Sequence, residues 1–249
     1  MGRVVLVGSQ AFVPGCSSRL ILRAGRASNG YGQRLRSKGD RVLWSEIEGW
    51  FQWRSGQEEA VSYFPPGSTF VEVGVYLGRS ICSLAEVVAL SGKPIKIIGV
   101  DTCLGSGPEG PSQKNYHGVA VEAGGGTFAG ALHRNVLACG YGDAVMLLIT
   151  DSMAASQLWG DQTLDWVHLD ARHDFHNLTA DITAWLPKVR PGGWLTGDDY
   201  DLEKWPEVIS AVNALLPDAE PWSSQQWRWR IPAAIESSAH RPRGWWRHQ

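Results

Sequence analysis

The sequence predicts an α/β protein built on an open, doubly wound sheet that is mostly parallel, with an antiparallel edge strand and helices on both faces. Three observations predict it. From Phe70 to Leu216, short and continuously apolar runs alternate with amphipathic stretches. Strands buried on both faces and joined by crossover helices produce that alternation. The last apolar segment, Gln226 to Ile231, instead sets Trp227, Trp229 and Ile231 against Arg228 and Arg230, as a half-exposed edge strand does. The third observation is an acidic residue in or at the end of each of the five central runs.

The elements follow in order. Leu43, Ile47, Trp50 and Phe51 have helical spacing and predict a helix before the sheet. Pro65-Pro66-Gly67 is a turn, and Phe70 to Gly74 the first strand. Ser80 to Leu90 is a helix with Ile81, Leu84, Ala85 and Val88 on one face, and Ile95 to Asp101 is a β-branched second strand. Thr102 to Gly126 is rich in glycine and lacks periodicity, so it reads as a long functional or mobile loop. Thr127 to Cys139 is a helix, Ala144 to Thr150 the third strand and Leu164 to Leu169 the fourth. His176 to Val189 is the clearest helix, ended by Pro191-Gly192-Gly193. Trp194 to Gly197 is the fifth strand, and Glu207 to Leu216 a last helix before the edge strand.

Composition narrows the classes. At 249 residues, 43% of them hydrophobic, the chain suits one globular domain with extensions. A net charge of -2 argues against a general nucleic-acid binder. No apolar run is long enough for a membrane span. Cys16, Cys82, Cys103 and Cys139 form no CxxC, which indicates free thiols in a reducing compartment. Residues 1–39 carry seven basic side chains and no acid, a composition shared by targeting peptides and by poorly ordered extensions. Residues 40–236 form the expected domain, and residues 237–249 a basic tail with Trp245 and Trp246. The expected location is cytoplasmic, with organellar targeting left open.

The acids locate a site. The first strand carries Glu72; the others end at Asp101, Asp151, Asp170 and Asp198-Asp199. Ligands of open parallel sheets bind beyond the carboxyl ends of the strands, so these groups converge on one cleft. Glu72-Val73-Gly74-Val75-Tyr76-Leu77-Gly78 is a strand-to-helix glycine loop. Asp101, at the end of the next strand, can accept two hydrogen bonds from a ribose diol. A dehydrogenase would show G-x-G-x-x-G, whereas this chain has E-x-G-x-x-x-G followed by Arg79-Ser80. Downstream, Asp170, Asp198 and Asp199 would repel one another unless compensated, which points to a hard divalent cation: Mg²⁺, or Mn²⁺ or Ca²⁺. His173 and His176 leave a zinc or iron site as the alternative.

Phe70 to Ser80 together with Gly99-Val100-Asp101 resembles the cofactor half of class I S-adenosylmethionine-dependent methyltransferases, which have a Rossmann-like fold. The resemblance covers roughly Trp44 to Ile231. It implies that Glu72, Gly74 and Gly78 surround the methionine part, with Ser80 and Asp170 completing the cofactor set. Asp101 would hold the ribose, and Asp151-Ser152 would lie near the adenine. The D-x-x-H of Asp170 to His173, with Asp198-Asp199, resembles the metal-dependent sugar O-methyltransferases of the macrocin and mycinamicin type. That resemblance implies that Asp170, Asp198 and Asp199 bind the metal and that His173 is the general base. The implied acceptor is a hydroxyl of a small molecule such as a sugar, a glycoside or another natural product. Proteins similar to cephalosporin hydroxylase carry the same motifs, so a hydroxylase-like oxidoreductase stays open, as does a non-catalytic binding module. Homo-oligomers are also left open.

Overall fold

The computed structural model describes residues 41–110 and 112–233; the expectations for the basic N-terminal extension and the Trp-containing tail lie outside them. A seven-stranded sheet organises the domain. Its strands are β1 (Thr69–Val73), β2 (Lys96–Asp101), β5 (Val145–Ile149), β6 (Leu164–Leu169), β7 (Val189–Gly197), β8 (Glu220–Trp222) and β9 (Gln226–Arg230), with β3 (Pro108–Glu109) and β4 (Lys114–Asn115) forming a separate hairpin. The sheet order is β5-β2-β1-β6-β7-β9-β8. The first five strands pair in parallel, and β9 runs antiparallel to both β7 and β8. This is the doubly wound architecture with an antiparallel edge region that the sequence predicts.

Alternation along each strand explains why both faces are covered. Phe70 and Ile97 enter one core with α1 (Arg54–Tyr63), α2 (Arg79–Ser91) and α4 (Ala129–Ala138). Their neighbours Val71, Val73, Ile98 and Val100 enter the other, with α5 (Ser152–Ser156), α6 (Phe175–Trp185) and α7 (Pro206–Leu215). Successive side chains of a strand point to opposite faces, so uninterrupted apolar runs serve two cores at once. Among the described residues no helix is long and apolar enough to cross a membrane.

Three expectations are corrected. Leu43 to Phe51 is not a helix: only Trp44–Glu46 form a 3₁₀ turn, and the helix is α1, ten residues further on. The buried face of α1 is Gly56, Gln57, Ala60 and Val61, which gives little apolar periodicity. Gln57 instead docks by polar bonds, donating to the Ser80 carbonyl at 2.9 Å and accepting from the Ser83 hydroxyl at 2.8 Å. The helix read to Val189 ends at Trp185, because Pro187 tightens the chain into a 3₁₀ turn and strand β7 then begins at Val189. Finally, Thr102 to Gly126 is not structureless. It contains the β3–β4 hairpin and α3 (Gly118–Ala123). The short α5 and β8 were also absent from the sequence reading.

Candidate active site

The strand-end acids meet in one cavity of about 510 Å³ at the carboxyl edge of the parallel strands. Its walls include Gly74, Ser80, Asp101, Asp151, Asp170 and Asp199. Asp198, Ser152 and His173 line it too. Two glycines make the arrangement possible. Gly74 has φ +89°, and a Cβ there would stand 1.9 Å from the Asp170 carbonyl oxygen. Only glycine lets β1 and β6 approach this closely at the site. Gly78, at φ +92°, turns the chain left-handed into the start of α2.

Glu72 is 2% exposed. One carboxylate oxygen accepts from the Ser80 hydroxyl, and Oε2 has no partner. Burial above all, helped by the negative charges of Asp170, Asp198 and Asp101 and opposed by the Ser80 bond, pushes its pKa up to about 8. The unpartnered oxygen suits the ammonium group of an amino-acid ligand. Asp101 is tied into the loop: Oδ2 accepts from the amides of Val75 and Tyr76, both at 2.9 Å, and Oδ1 accepts from Cys103 at 2.7 Å. Oδ1 thus retains a second lone pair for a ribose hydroxyl, whereas both lone pairs of Oδ2 are already taken by backbone amides. Asp151 caps α5 through Oδ1, and the Ser152 hydroxyl donates to Asp181 at 2.5 Å, so both residues already have partners within the chain.

The second half of the site surrounds His173. Its Nε2 lies 3.0 Å from Asp199 Oδ2 and 3.4 Å from Asp170 Oδ1. On the other side Nδ1 faces Glu109 Oε2 at 3.4 Å. Neither ring nitrogen makes an aligned hydrogen bond, and Nε2 is the one that faces the acids of the cavity. Burial would lower the His173 pKa, but Asp170, Asp199 and Glu109 together outweigh it and hold the pKa well above the ordinary value. Asp198 is pushed the opposite way from most surface acids, upwards, by burial and by Asp170 and Asp199. Asp199 reaches its place with φ +58°, a left-handed conformation that Asp tolerates better than most residues.

The metal-ligand set needs refinement. Ligand atoms of Asp170, His173 and Asp199 all lie within 4.8 Å of one another, a grouping that includes the imidazole and omits Asp198. Asp198 lines the same cavity, and the charges of Asp170 and Asp199 act on it. Half-buried acids this close, with one shared imidazole as counter-charge, fit a hard cation by donor type.

Glu109 was not singled out in the sequence. It is 3% exposed and comes from the glycine-rich segment. The Ser106 hydroxyl donates to its Oε1 at 2.6 Å, and the His173 amide to its Oε2 at 3.3 Å. Arg172 holds the same segment by donating to the Ser106 carbonyl at 2.6 Å. Trp205 then backs the imidazole, with ring centroids 4.7 Å apart. Aromatic rings continue outward through Tyr116 to Trp50, which is 63% exposed and stacks on Tyr76 at 5.8 Å. Arg79 fixes that side by donating to the carbonyls of Ile47 and Gly49, at 3.3 and 2.9 Å.

A parallel sheet with this strand order, a glycine loop after β1 and acids at the ends of β2, β5, β6 and β7 define a class I methyltransferase fold. The family model described as a methyltransferase domain matches residues 71–200, more than half of the chain, and the chain belongs to that family. It is thus an S-adenosylmethionine-dependent methyltransferase. A curated relative, the uncharacterized protein R132 of Acanthamoeba polyphaga mimivirus, is 23% identical over 170 residues; the chain spans 66% of that relative's length, and the match takes in 66% of this chain. Among solved structures, the O-methyltransferase NovP superposes with a TM-score of 0.53 at 18% identity, over 72% of this chain and 79% of that one. CalS11, a TDP-rhamnose 3′-O-methyltransferase of calicheamicin biosynthesis, gives a TM-score of 0.48 at 18% identity, over 71% and 76% of the two chains. At these identities the structural likeness concerns the fold.

Proposed function

We propose that the chain methylates a hydroxyl group of a small molecule, such as a sugar, a glycoside or another natural product, with a divalent cation assisting. The observation that carries this reading is the placement of His173 Nε2 against Asp199 and Asp170 inside the cofactor cavity. S-adenosylmethionine supplies an electrophilic sulfonium methyl group. A bound Mg²⁺, Mn²⁺ or Ca²⁺ lowers the pKa of a coordinated hydroxyl.

The residues divide the work. Glu72, Gly74, Gly78, Ser80 and Asp101 hold the cofactor, with Asp151, Ser152 and Asp170 at its flanks. Asp170, Asp198 and Asp199 are the candidate cation ligands. A cation on Asp170 and Asp199 would offset the charges that keep His173 protonated. The neutral imidazole is then placed to take the hydroxyl proton on Nε2, while Glu109 fixes the ring from the Nδ1 side. Trp205 packs against the imidazole, and Glu109 of the hairpin faces it from the Nδ1 side. The aromatic side chains between Trp205 and Trp50 offer a ring-binding wall at the mouth of the cavity. The acceptor is accordingly a small molecule rather than a nucleic acid, consistent with the net charge of -2.

A second reading rests on one observation, the inclusion of His173 in the candidate ligand set. With imidazole as a ligand, an iron-dependent oxidation is the competing chemistry. The deciding experiment incubates the protein with methyl-labelled S-adenosylmethionine and a panel of hydroxylated acceptors, with Mg²⁺ and with chelator. Label transfer that the chelator suppresses supports the proposal. Oxygen consumption with Fe²⁺ and a reductant, without label transfer, replaces it.

A further inference from the structure

Asp181 is a buried carboxylate that the methyl-transfer chemistry leaves unused. It is 6% exposed and lies on α6, and it lines the cavity together with Asn177, Ala180, Thr150, Asp151 and Met153. Its Oδ1 accepts from the Ser152 hydroxyl at 2.5 Å. The Ser152 oxygen in turn accepts from Trp185 Nε1 at 2.9 Å, which commits the hydroxyl hydrogen to Asp181. Among the described residues that hydroxyl is its only hydrogen-bond donor, and no Lys, Arg or His pairs with it. The charges nearest to it are acidic: after burial, Asp151 and Asp174 push its pKa further up, to about 6. A carboxylate removed from water with one donor is costly, and a ligand that brings another donor relieves the cost.

The order of groups along the cavity says which part of a ligand arrives there. Glu72 and Asp170 stand at the adjacent strands β1 and β6, Asp101 at the end of β2, and Asp151 just past β5. A nucleoside whose ribose lies at Asp101 carries its base on toward Asp151 and Asp181. Purine ring nitrogens N1, N3 and N7 are acceptors in adenine, and its exocyclic 6-amino group is the donor that a carboxylate can read.

We propose that Asp181 is a specificity-determining residue that selects a 6-aminopurine by accepting a hydrogen bond from the exocyclic amine of the cofactor's adenine through its second oxygen. The inference rests on the cofactor assignment above and adds the residue that discriminates the base. A 6-oxopurine would turn a carbonyl oxygen toward this carboxylate and is rejected.

Calorimetric titration of the full chain with S-adenosylhomocysteine and with its 6-oxo counterpart, S-inosylhomocysteine, tests this. The wild type should prefer the 6-amino ligand by at least about tenfold, the effect of one hydrogen bond to a charged group. Asp181→Asn keeps the side-chain shape but can donate through its amide, so the preference should shrink to within about threefold or reverse. Asp181→Ala, should the first variant fold poorly, should also lose the preference. Equal binding of the two ligands to the wild type, or an unchanged preference in a folded variant, overturns the role of Asp181 while leaving the cofactor assignment intact. Failure of the wild type to bind S-adenosylhomocysteine overturns both.

Discussion

Glu109 and His173, 64 residues apart in sequence, face each other at 3.4 Å between Oε2 and Nδ1, and a second contact runs from the His173 amide to the same oxygen at 3.3 Å. A carboxylate on one side of the imidazole leaves the other nitrogen aimed at Asp170 and Asp199. The glycine-rich segment after β2 therefore contributes to the site through its tertiary contacts rather than as a free loop.

Removing the imidazole should remove proton transfer and little else. His173→Ala is expected to lower turnover by about 10² to 10⁴-fold, with S-adenosylhomocysteine affinity nearly unchanged by calorimetry. Glu109→Ala should cost less, roughly 10 to 100-fold, as loss of a supporting carboxylate does. Full turnover in His173→Ala removes it from the mechanism.

Glu72 makes stability depend on pH. Its pKa in the folded protein, about 8, lies above the ordinary glutamate value of 4.5. The folded state therefore binds more protons between those values, and the stabilisation from protonated Glu72 is complete below 4.5 and lost as pH rises through 8. Glu72→Gln cannot ionise. Its melting temperature should exceed the wild type's increasingly from pH 5 to pH 9, with a gain of at least about 1 kcal/mol at the upper end. A constant difference across that range contradicts the burial argument.

Lys93 caps the end of α1 by donating to the carbonyls of Val61, Ser62 and Phe64, at 2.6, 2.8 and 2.8 Å. These are carbonyls that the end of a helix leaves unpaired. Lys93→Met should destabilise the domain by about 1–2 kcal/mol in denaturant unfolding, with cofactor binding unaffected.

Arg79 ties the segment bearing Trp50 to the start of α2 through the carbonyls of Ile47 and Gly49. Arg79→Met is expected to speed amide exchange of residues 47–52 by about tenfold, the equivalent of 1.4 kcal/mol of local opening. Unchanged exchange would show that the aromatic contacts of Trp50 hold the segment alone.

Much of this site was legible in the sequence because strand ends are. Asp101, Asp170 and Asp199 terminate or follow apolar runs, and a parallel sheet gathers such positions at one edge. Glu109 lies in a stretch without periodicity, and only contacts with Ser106, Arg172 and His173 place it in the site. Asp181 looks like an ordinary helix residue, since its burial depends on Ser152 and Trp185 beneath it. Helix α1 was hidden because Gly56 and Gln57 occupy its buried face.

The account depends most on a divalent cation held by the carboxylates around His173. Electron paramagnetic resonance titration of Mn²⁺ into the wild type, Asp170→Asn and Asp199→Asn measures it directly. The account predicts one saturable site per chain in the wild type, competed by Mg²⁺ and weakened at least about tenfold in both variants. No saturable Mn²⁺ site in the wild type, or an affinity that neither substitution changes, would contradict it.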